Sequence, residues 1–350
     1  MQTLTQTGQI LLVFLLQDQG TVSYLLIFVP FVLFLELPLY FMTWFGIFRY
    51  LTQDIYEIPF ISPAIPRVTC AITCYSEGKA VQNTVISLLE QTYPGHIEII
   101  AMVDGVQKNQ ATYQALKDLI PQISSYPRRS FIIIPKIQRG GRVSSLNAGL
   151  SRASGEVFLA LDGDTSFDNQ MVYRSVLHFQ NDNVVAVTGP MRVRNAKKSL
   201  ATRLQSLEYM LSLQVGKLGL TNMNAINNIP GAFGIFRKSF LQQIGGWNTG
   251  TAEDLDLTLR IKQYQGRHPQ LRFEYEPGAV SHTDAPETFS DFLRQRLRWD
   301  GDLWYIYAHK HNTGFLHLSW VGVISYLSFG TASCFRSLCL LPLCSIRSIW

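Results

Sequence analysis

"GEVFLALDGDTSF", residues 155–167, carries an apolar run over 157–161 that ends in Asp162 and Asp164, with only Gly163 between them. A short apolar run bounded by turn residues reads as a buried strand. Two carboxylates that close repel each other unless positive charge lies between them. At a strand end such a pair can share Mg²⁺ or Mn²⁺ and leave open positions for phosphate oxygens. Gly163 spares the tight turn a side chain. Taken alone, "DGD" reads equally as a surface turn, because Asp-Gly is a common turn dipeptide.

Residues 61–311 repeat the texture of that strand. Short β-branched runs at 67–73, 96–105, 130–135, 156–162 and 183–189 alternate with helical patterns. Between the first two, Val81, Val85, Leu88 and Leu89 fall at helical spacing, with Ser76 as the expected N-cap. Apolar strands alternating with helices imply an α/β domain with a mostly parallel sheet, covered on both faces. Ligands in such sheets sit beyond the carboxyl ends of the strands, where Asp104 and the Asp162/Asp164 pair stand. No GxGxxG, GxxxxGK[ST] or HExxH pattern occurs, so a bound nucleotide is held another way.

The flanks differ in composition. Of 350 residues, 47% are hydrophobic and 16% charged, below the roughly 25% charged of a soluble domain. Residues 22–48 hold one charge, Glu36, and are long enough to cross a hydrocarbon core of roughly 30 Å with tilt or a kink at Pro30 or Pro38. No Lys or Arg precedes them, which argues against a cleaved secretory signal. Arg49 is the first basic residue, and the positive-inside rule places residue 50 onward in the cytosol. Residues 315–335 form a second uncharged run of spanning length. The expected division is a transmembrane segment over 1–50, a cytosolic domain over 61–311 and a transmembrane segment over 312–350. The net charge of +5, without basic clusters, points away from nucleic acid and suits an anionic substrate or a membrane surface. Five cysteines without CxxC spacing fit a reducing compartment.

Two further stretches carry candidate chemistry. "GTAEDLDLTLRI" (250–261) places Glu253 and Asp254 at the start of a helix, where acids also suit the helix dipole. "FLRQRLRWDGDLW" (292–304) offers Gln295, Arg298 and Trp299; Arg298 can grip a diphosphate and Trp299 can stack on a sugar ring. The same stretch also reads as an amphipathic helix lying on a membrane through Phe292, Leu293 and Leu297.

The order Asp104, "DGD", "AED", "QRLRW" over residues 67–310 resembles the inverting family 2 glycosyltransferases, in the membrane branch of poly-N-acetylglucosamine, hyaluronan, chitin and cellulose synthases. The resemblance implies a GT-A-like nucleotide-sugar-binding domain flanked by transmembrane helices, in the plasma membrane (the inner membrane of a bacterium). It implies that Tyr75 stacks on uracil, Glu77 holds the nucleoside, and Asp104 binds uridine. Arg142 in "GGRVSSLNAGL" stands where the family has lysine, Ser76 where it has asparagine, and Ala252 where it has threonine. Asp162 and Asp164 match the metal motif, Asp254 the catalytic base, Glu253 its acidic neighbour, and Gln295, Arg298 and Trp299 the diphosphate and acceptor motif. "NNIPGAFGIFRKSF" (227–240) is expected to line the acceptor side, with Phe233 near the growing end. The implied reaction moves a sugar from a UDP-sugar to a glycan or lipid hydroxyl with inversion, so an α-linked donor yields a β-linked polysaccharide. The alternatives are a single transfer to a lipid acceptor, or an inactive membrane protein retaining the fold. Two spans make a thin wall for a polymer channel, so the chain is expected either to be truncated relative to its relatives or to need a partner subunit for export.

Overall fold

The computed structural model describes residues 29, 32–54 and 65–311. The second expected span and three of the cysteines lie outside them. Apolar runs form β1 (Val68–Cys74), β2 (Ile97–Val103), β3 (Arg129–Pro135), β4 (Val157–Asp162) and β6 (Val184–Thr188). Helices α2 (Ala80–Leu89), α3 (Gln110–Lys117) and α4 (Gly141–Arg152) link the first four strands. The seven-stranded sheet has the order β3-β2-β1-β4-β8-β6-β9, with β8 (Phe233–Arg237) and β9 (Arg272–Tyr275) added. The first four strands in that order are mutually parallel, β8 runs antiparallel between β4 and β6, and β9 is parallel to β6. The α/β expectation of a mostly parallel sheet is met. Val68, Ile72, Ile99, Phe158 and Leu161 are fully buried, as befits strands covered on both faces.

Topology positions the site. From β1 the chain proceeds to β2 and β3 on one side, then returns to place β4 on the other side of β1. That reversal leaves a crevice beyond the carboxyl ends of β1 and β4, and pairs Thr73 with Asp162 in register. A three-stranded sheet, β5 (Ser166–Phe167), β10 (Ser281–Thr283) and β7 (Met191–Val193), lies beyond the DGD turn.

Two details differ from the expectations. Ser76 does not cap α2: its φ is +71°, and its amide and hydroxyl donate to Asn109 Oδ1 at 2.9 and 3.3 Å. The left-handed backbone turns the chain aside before α2 starts, four residues later. Phe233 is in β8, fully buried, with its ring 5.7 Å from that of Phe167; it belongs to the core and does not face an acceptor.

Four more helices complete the frame. α5 (Leu200–Tyr209) runs through a wide π-type turn at Met210–Gly216 into α6 (Lys217–Thr221). α7 (Glu253–Arg267) follows β8, and α8 (Phe289–Trp304) packs beside it, continuing to Lys310. Near the N-terminus, α1 (Leu37–Arg49) lies within a continuous helix, Val32–Thr52, long and apolar enough to cross a membrane. Phe41, Trp44, Phe45 and Phe48 on it are exposed. α1 crosses α6 where Gly46 meets Gly219, and a Cβ on either would collide with backbone of the other helix.

α7 and the end of α8 are tied at Asp256, which is fully buried. Its carboxylate accepts from Arg260 Nε (2.9 Å), Lys310 Nζ (2.8 Å) and His311 Nε2 (2.9 Å). Burial would raise this carboxyl, but the His311, Lys310 and Arg260 donors outweigh it and bring the pKa down to about 2. A carboxyl lowered on folding stabilises above its unfolded value, about 4, and loses that contribution as pH falls through its folded value. Asp256→Ala is expected to destabilise by roughly 3–5 kcal/mol at neutral pH, because Arg260, Lys310 and His311 lose their shared acceptor. The difference in Tm from wild type should shrink between about pH 4 and pH 2. Thermal unfolding of the detergent-solubilised chain checks this; an unchanged Tm at pH 7 contradicts it.

Candidate active site

The ends of β1 and β2 build one side of the crevice. Asp104 is buried, and its carboxylate accepts from Lys136 Nζ (2.7 Å), Gly140 N (2.9 Å) and Gly141 N (2.9 Å). Burial alone would raise its carboxyl; the Lys136 ammonium and the two amides prevail and hold it below the usual range. Asp104 thus fastens the glycine loop that starts α4. Tyr75 is exposed, and the Arg139 guanidinium sits 4.1 Å from its ring centroid. One face of the ring therefore already holds a cation.

The DGD turn explains its glycine. Gly163 N donates to Thr73 O (3.1 Å), and Thr84 Oγ1 donates to Gly163 O (2.9 Å). A Cβ on Gly163 would lie 3.0 Å from Thr73 O and 3.1 Å from Glu77 Cδ. Close approach to β1 and Glu77, not a left-handed backbone, demands glycine here. Glu77 Oε1 accepts from Tyr75 N at 2.7 Å, while Oε2 is buried with no hydrogen-bond partner among the described residues. Burial lifts the Glu77 carboxyl above its usual value; the Tyr75 amide opposes this and the nearby Asp164 charge adds to it.

Arg142, in the first turn of α4, joins the two acidic motifs. Its Nη1 donates to Asp162 Oδ1 and, at 2.9 Å, to Thr73 Oγ1; its Nε lies 2.6 Å from Glu253 Oε1; its Nη2 donates to Gly231 O. Burial raises the Glu253 carboxyl, and Asp254 raises it further, against the opposing charge of Arg142. Asp254 is held by amides: Gly231 N donates to Oδ2 (3.0 Å) and Leu255 N to Oδ1 (2.8 Å). Ala252, at φ +45°, makes the turn that begins α7. No side chain from position 252 enters these contacts, so the threonine hydroxyl of the resembled motif has no counterpart here.

α8 supplies the far wall. Arg298 is exposed and reaches Asp302 only at 3.7 Å, so its guanidinium is open to a ligand. Trp299 is half-buried, with the Arg296 guanidinium 4.5 Å from its ring. Gln295 Oε1 accepts from the buried Gln205 at 2.9 Å. Arg296 makes a two-pronged ion pair with Glu208 at 2.8 and 2.6 Å, fixing α8 to α5.

A cavity of about 670 Å³ gathers Arg142, Asp162, Asp164, Glu253, Asp254, Gln295, Arg298 and Trp299 on one lining. Tyr75, Glu77 and Asp104 stand outside that lining, at the ends of β1 and β2. Asn227, Asn228, Pro230, Gly231 and Ala232 of the expected acceptor segment do line it. Glu208 and Lys217, which no motif in the sequence marks, also line it, as does Arg296 inside "QRLRW". The one available signal is a lone lysine in the apolar stretch "MLSLQVGKLGL".

No three acidic or imidazole groups among the described residues converge on one ion position. Among the described residues the Asp162/Asp164 pair is a hard-oxygen set that suits a divalent ion completing its shell with phosphate oxygens and water. The orphaned Glu77 oxygen beside the pair adds to the negative potential there.

The fold is shared with known proteins. A mannosyltransferase from Pyrobaculum calidifontis, solved in complex with GDP-Man and Mn²⁺, superposes with a TM-score of 0.54 at 16% identity, over 90% of this chain and 91% of that one. The fold is thus that of the GT-A glycosyltransferases. A family model described as glycosyl transferase family group 2 matches residues 157–350, and the chain belongs to that family. The chain is 31% identical to poly-β-1,6-N-acetyl-D-glucosamine synthase of Staphylococcus aureus (strain COL) over 236 residues, 66% of this chain and 53% of the relative. The synthase of the same name from Staphylococcus epidermidis is 31% identical over 234 residues. The chain spans about half the length of the curated relatives it matches.

Arg142→Met leaves Glu253 half-buried without its cation and frees Asp162. The expected cost is roughly 1–3 kcal/mol at pH 7. It should shrink in acid, where Glu253 takes up a proton and no longer needs a counter-ion. Tm measured across pH checks this; a cost independent of pH contradicts it.

Proposed function

We propose that the chain is an inverting glycosyltransferase that moves N-acetylglucosamine from its UDP donor to a hydroxyl acceptor and extends a β-linked polysaccharide. The convergence of Asp254 with Asp162, Asp164, Arg298 and Trp299 around one cavity carries this reading. The names of the relatives at 31% identity support the sugar.

Each group has a task its surroundings allow. Asp254 takes the proton of the acceptor hydroxyl as that oxygen attacks the anomeric carbon. The Gly231 and Leu255 amides fix the carboxylate, so no reorganisation is needed at the moment of transfer. The bond from the anomeric carbon to the diphosphate oxygen breaks, and its electron pair leaves with UDP. Arg298 stands open to meet the charge that gathers on this leaving group. Trp299 offers a ring edge to the sugar. Mg²⁺ or Mn²⁺ held by Asp162 and Asp164 would supply further positive charge to the diphosphate. Arg142 keeps the two motifs in register and offsets the charge of Asp162 and Glu253.

The helix Val32–Thr52 is read as the membrane anchor, with its aromatic residues in lipid and the cavity on the cytosolic side. Its contact with α6 ties that anchor to the wall of the cavity.

Asp254→Asn should lower turnover by about 10²–10⁴-fold, the span of a lost general base, with UDP affinity unchanged. Asp164→Ala should act on binding instead, weakening UDP in the presence of Mn²⁺ while leaving its affinity in chelator untouched. UDP release from UDP-N-acetylglucosamine and calorimetric UDP titration read the two effects. Near-normal turnover in Asp254→Asn, or equal UDP affinity with and without chelator in the wild type, contradicts the assignments.

A further inference from the structure

Lys217, the first residue of α6, is 2% exposed, and its Nζ has no hydrogen-bond partner among the described residues. The residue lies in the lining of the cavity that holds Asp254. A buried ammonium without a partner is costly, and α6 has no freedom to release it. Gly219 is locked against Gly46 of α1, and Asn222 Nδ2 donates to Gly46 O at 3.3 Å. Thr221 Oγ1 accepts from Tyr275 N (3.1 Å) and donates to Glu274 Oε2 (3.2 Å). The fold therefore holds a desolvated cation at the wall of the cavity with a donor to spare.

The lining carries more carboxylates than cations, Asp284, Asp300 and Asp302 adding to those of the two acidic motifs. Such a wall disfavours an anionic acceptor. It suits a neutral, oxygen-rich one whose oxygens accept hydrogen bonds from Lys217 and whose hydroxyl gives its proton to Asp254. The diphosphate has its own partners in Arg298 and the DGD pair.

We propose that Lys217 is an acceptor-binding residue, its Nζ donating to an oxygen of the terminal acceptor sugar beside the hydroxyl that Asp254 deprotonates. The proposal rests on the glycosyltransferase reading above. Burial pushes the Lys217 ammonium down to about 7, against the opposing pull of Asp254. Other charged groups on the surrounding elements are Arg49 of α1, Glu208 of α5, Arg272 and Glu274 of β9, Glu253 of α7 and Arg296 of α8; only the Asp254 charge acts on Lys217 appreciably. A cationic donor with that pKa is present well below pH 7 and is lost as pH rises through it.

The test uses the full chain in detergent with UDP-N-acetylglucosamine as donor and a β-1,6-linked N-acetylglucosamine tetrasaccharide as acceptor. Lys217→Met should raise the acceptor KM at least tenfold, leave UDP affinity within twofold, and raise Tm, since an unpaired buried charge is removed. In the wild type the acceptor KM should climb as pH rises through 7. In Lys217→Arg, which stays charged, that climb should vanish. An unchanged acceptor KM in Lys217→Met, or a fall in Tm with UDP affinity weakened in parallel, overturns the proposal and marks Lys217 as structural. A wild type that releases no UDP overturns the glycosyltransferase reading itself, so the two failures are distinct.

Discussion

One guanidinium holds the site together. Arg142 reaches from the first turn of α4 to Asp162 at the end of β4, Glu253 at the start of α7, Thr73 at the end of β1 and the Gly231 carbonyl. Only a planar, multi-pronged cation can serve four such partners at once. A lysine ammonium is a point charge with three donors on a flexible stem. The arginine at this position, a departure from the resembled motif, thus changes how the acidic motifs are joined while keeping the charge that offsets them. The carboxylates of the "DGD" and "AED" stretches would otherwise repel across the cavity.

The sheet explains why these groups meet. Placing β4 beside β1 after the excursion to β2 and β3 opens a crevice into which strand ends project. Around it, α7 and α8 are fixed by contacts remote from the chemistry: Asp256 with Arg260, Lys310 and His311, and Glu208 with Arg296. These hold Asp254 and Arg298 in the lining of one cavity. α6, pressed against α1 at two glycines, completes the enclosure and brings the apolar N-terminal helix within one turn of Lys217.

Much of this was legible in the chain. The five strands expected from β-branched runs, at 67–73, 96–105, 130–135, 156–162 and 183–189, fall within two residues of β1, β2, β3, β4 and β6, because burial on both faces leaves an unbroken apolar signature. Asp162, Asp164, Glu253, Asp254, Gln295, Arg298 and Trp299, named from the sequence motifs, line one cavity. The features hidden from the sequence lie in long-range geometry. β8, "FGIFR", falls in the stretch that the resemblance places on the acceptor side, yet pairing with β4 and β6 carries it into the core sheet. Ser76 resembles an N-cap locally, but its left-handed backbone is set by Asn109, 33 residues away. The Arg142 bridge and the unpartnered Lys217 depend on contacts between segments that no spacing in the sequence connects.

The proposed reaction is a single displacement at the anomeric carbon, driven from the Asp254 side of the cavity. The stereochemistry of the product tests it most directly. The chain would be incubated with ¹³C-labelled UDP-α-N-acetylglucosamine, and the one-bond C–H coupling at the new anomeric carbon read by NMR. A β linkage, inverted from the donor, is the expected result; an α linkage would mean that the configuration is retained and would contradict the mechanism.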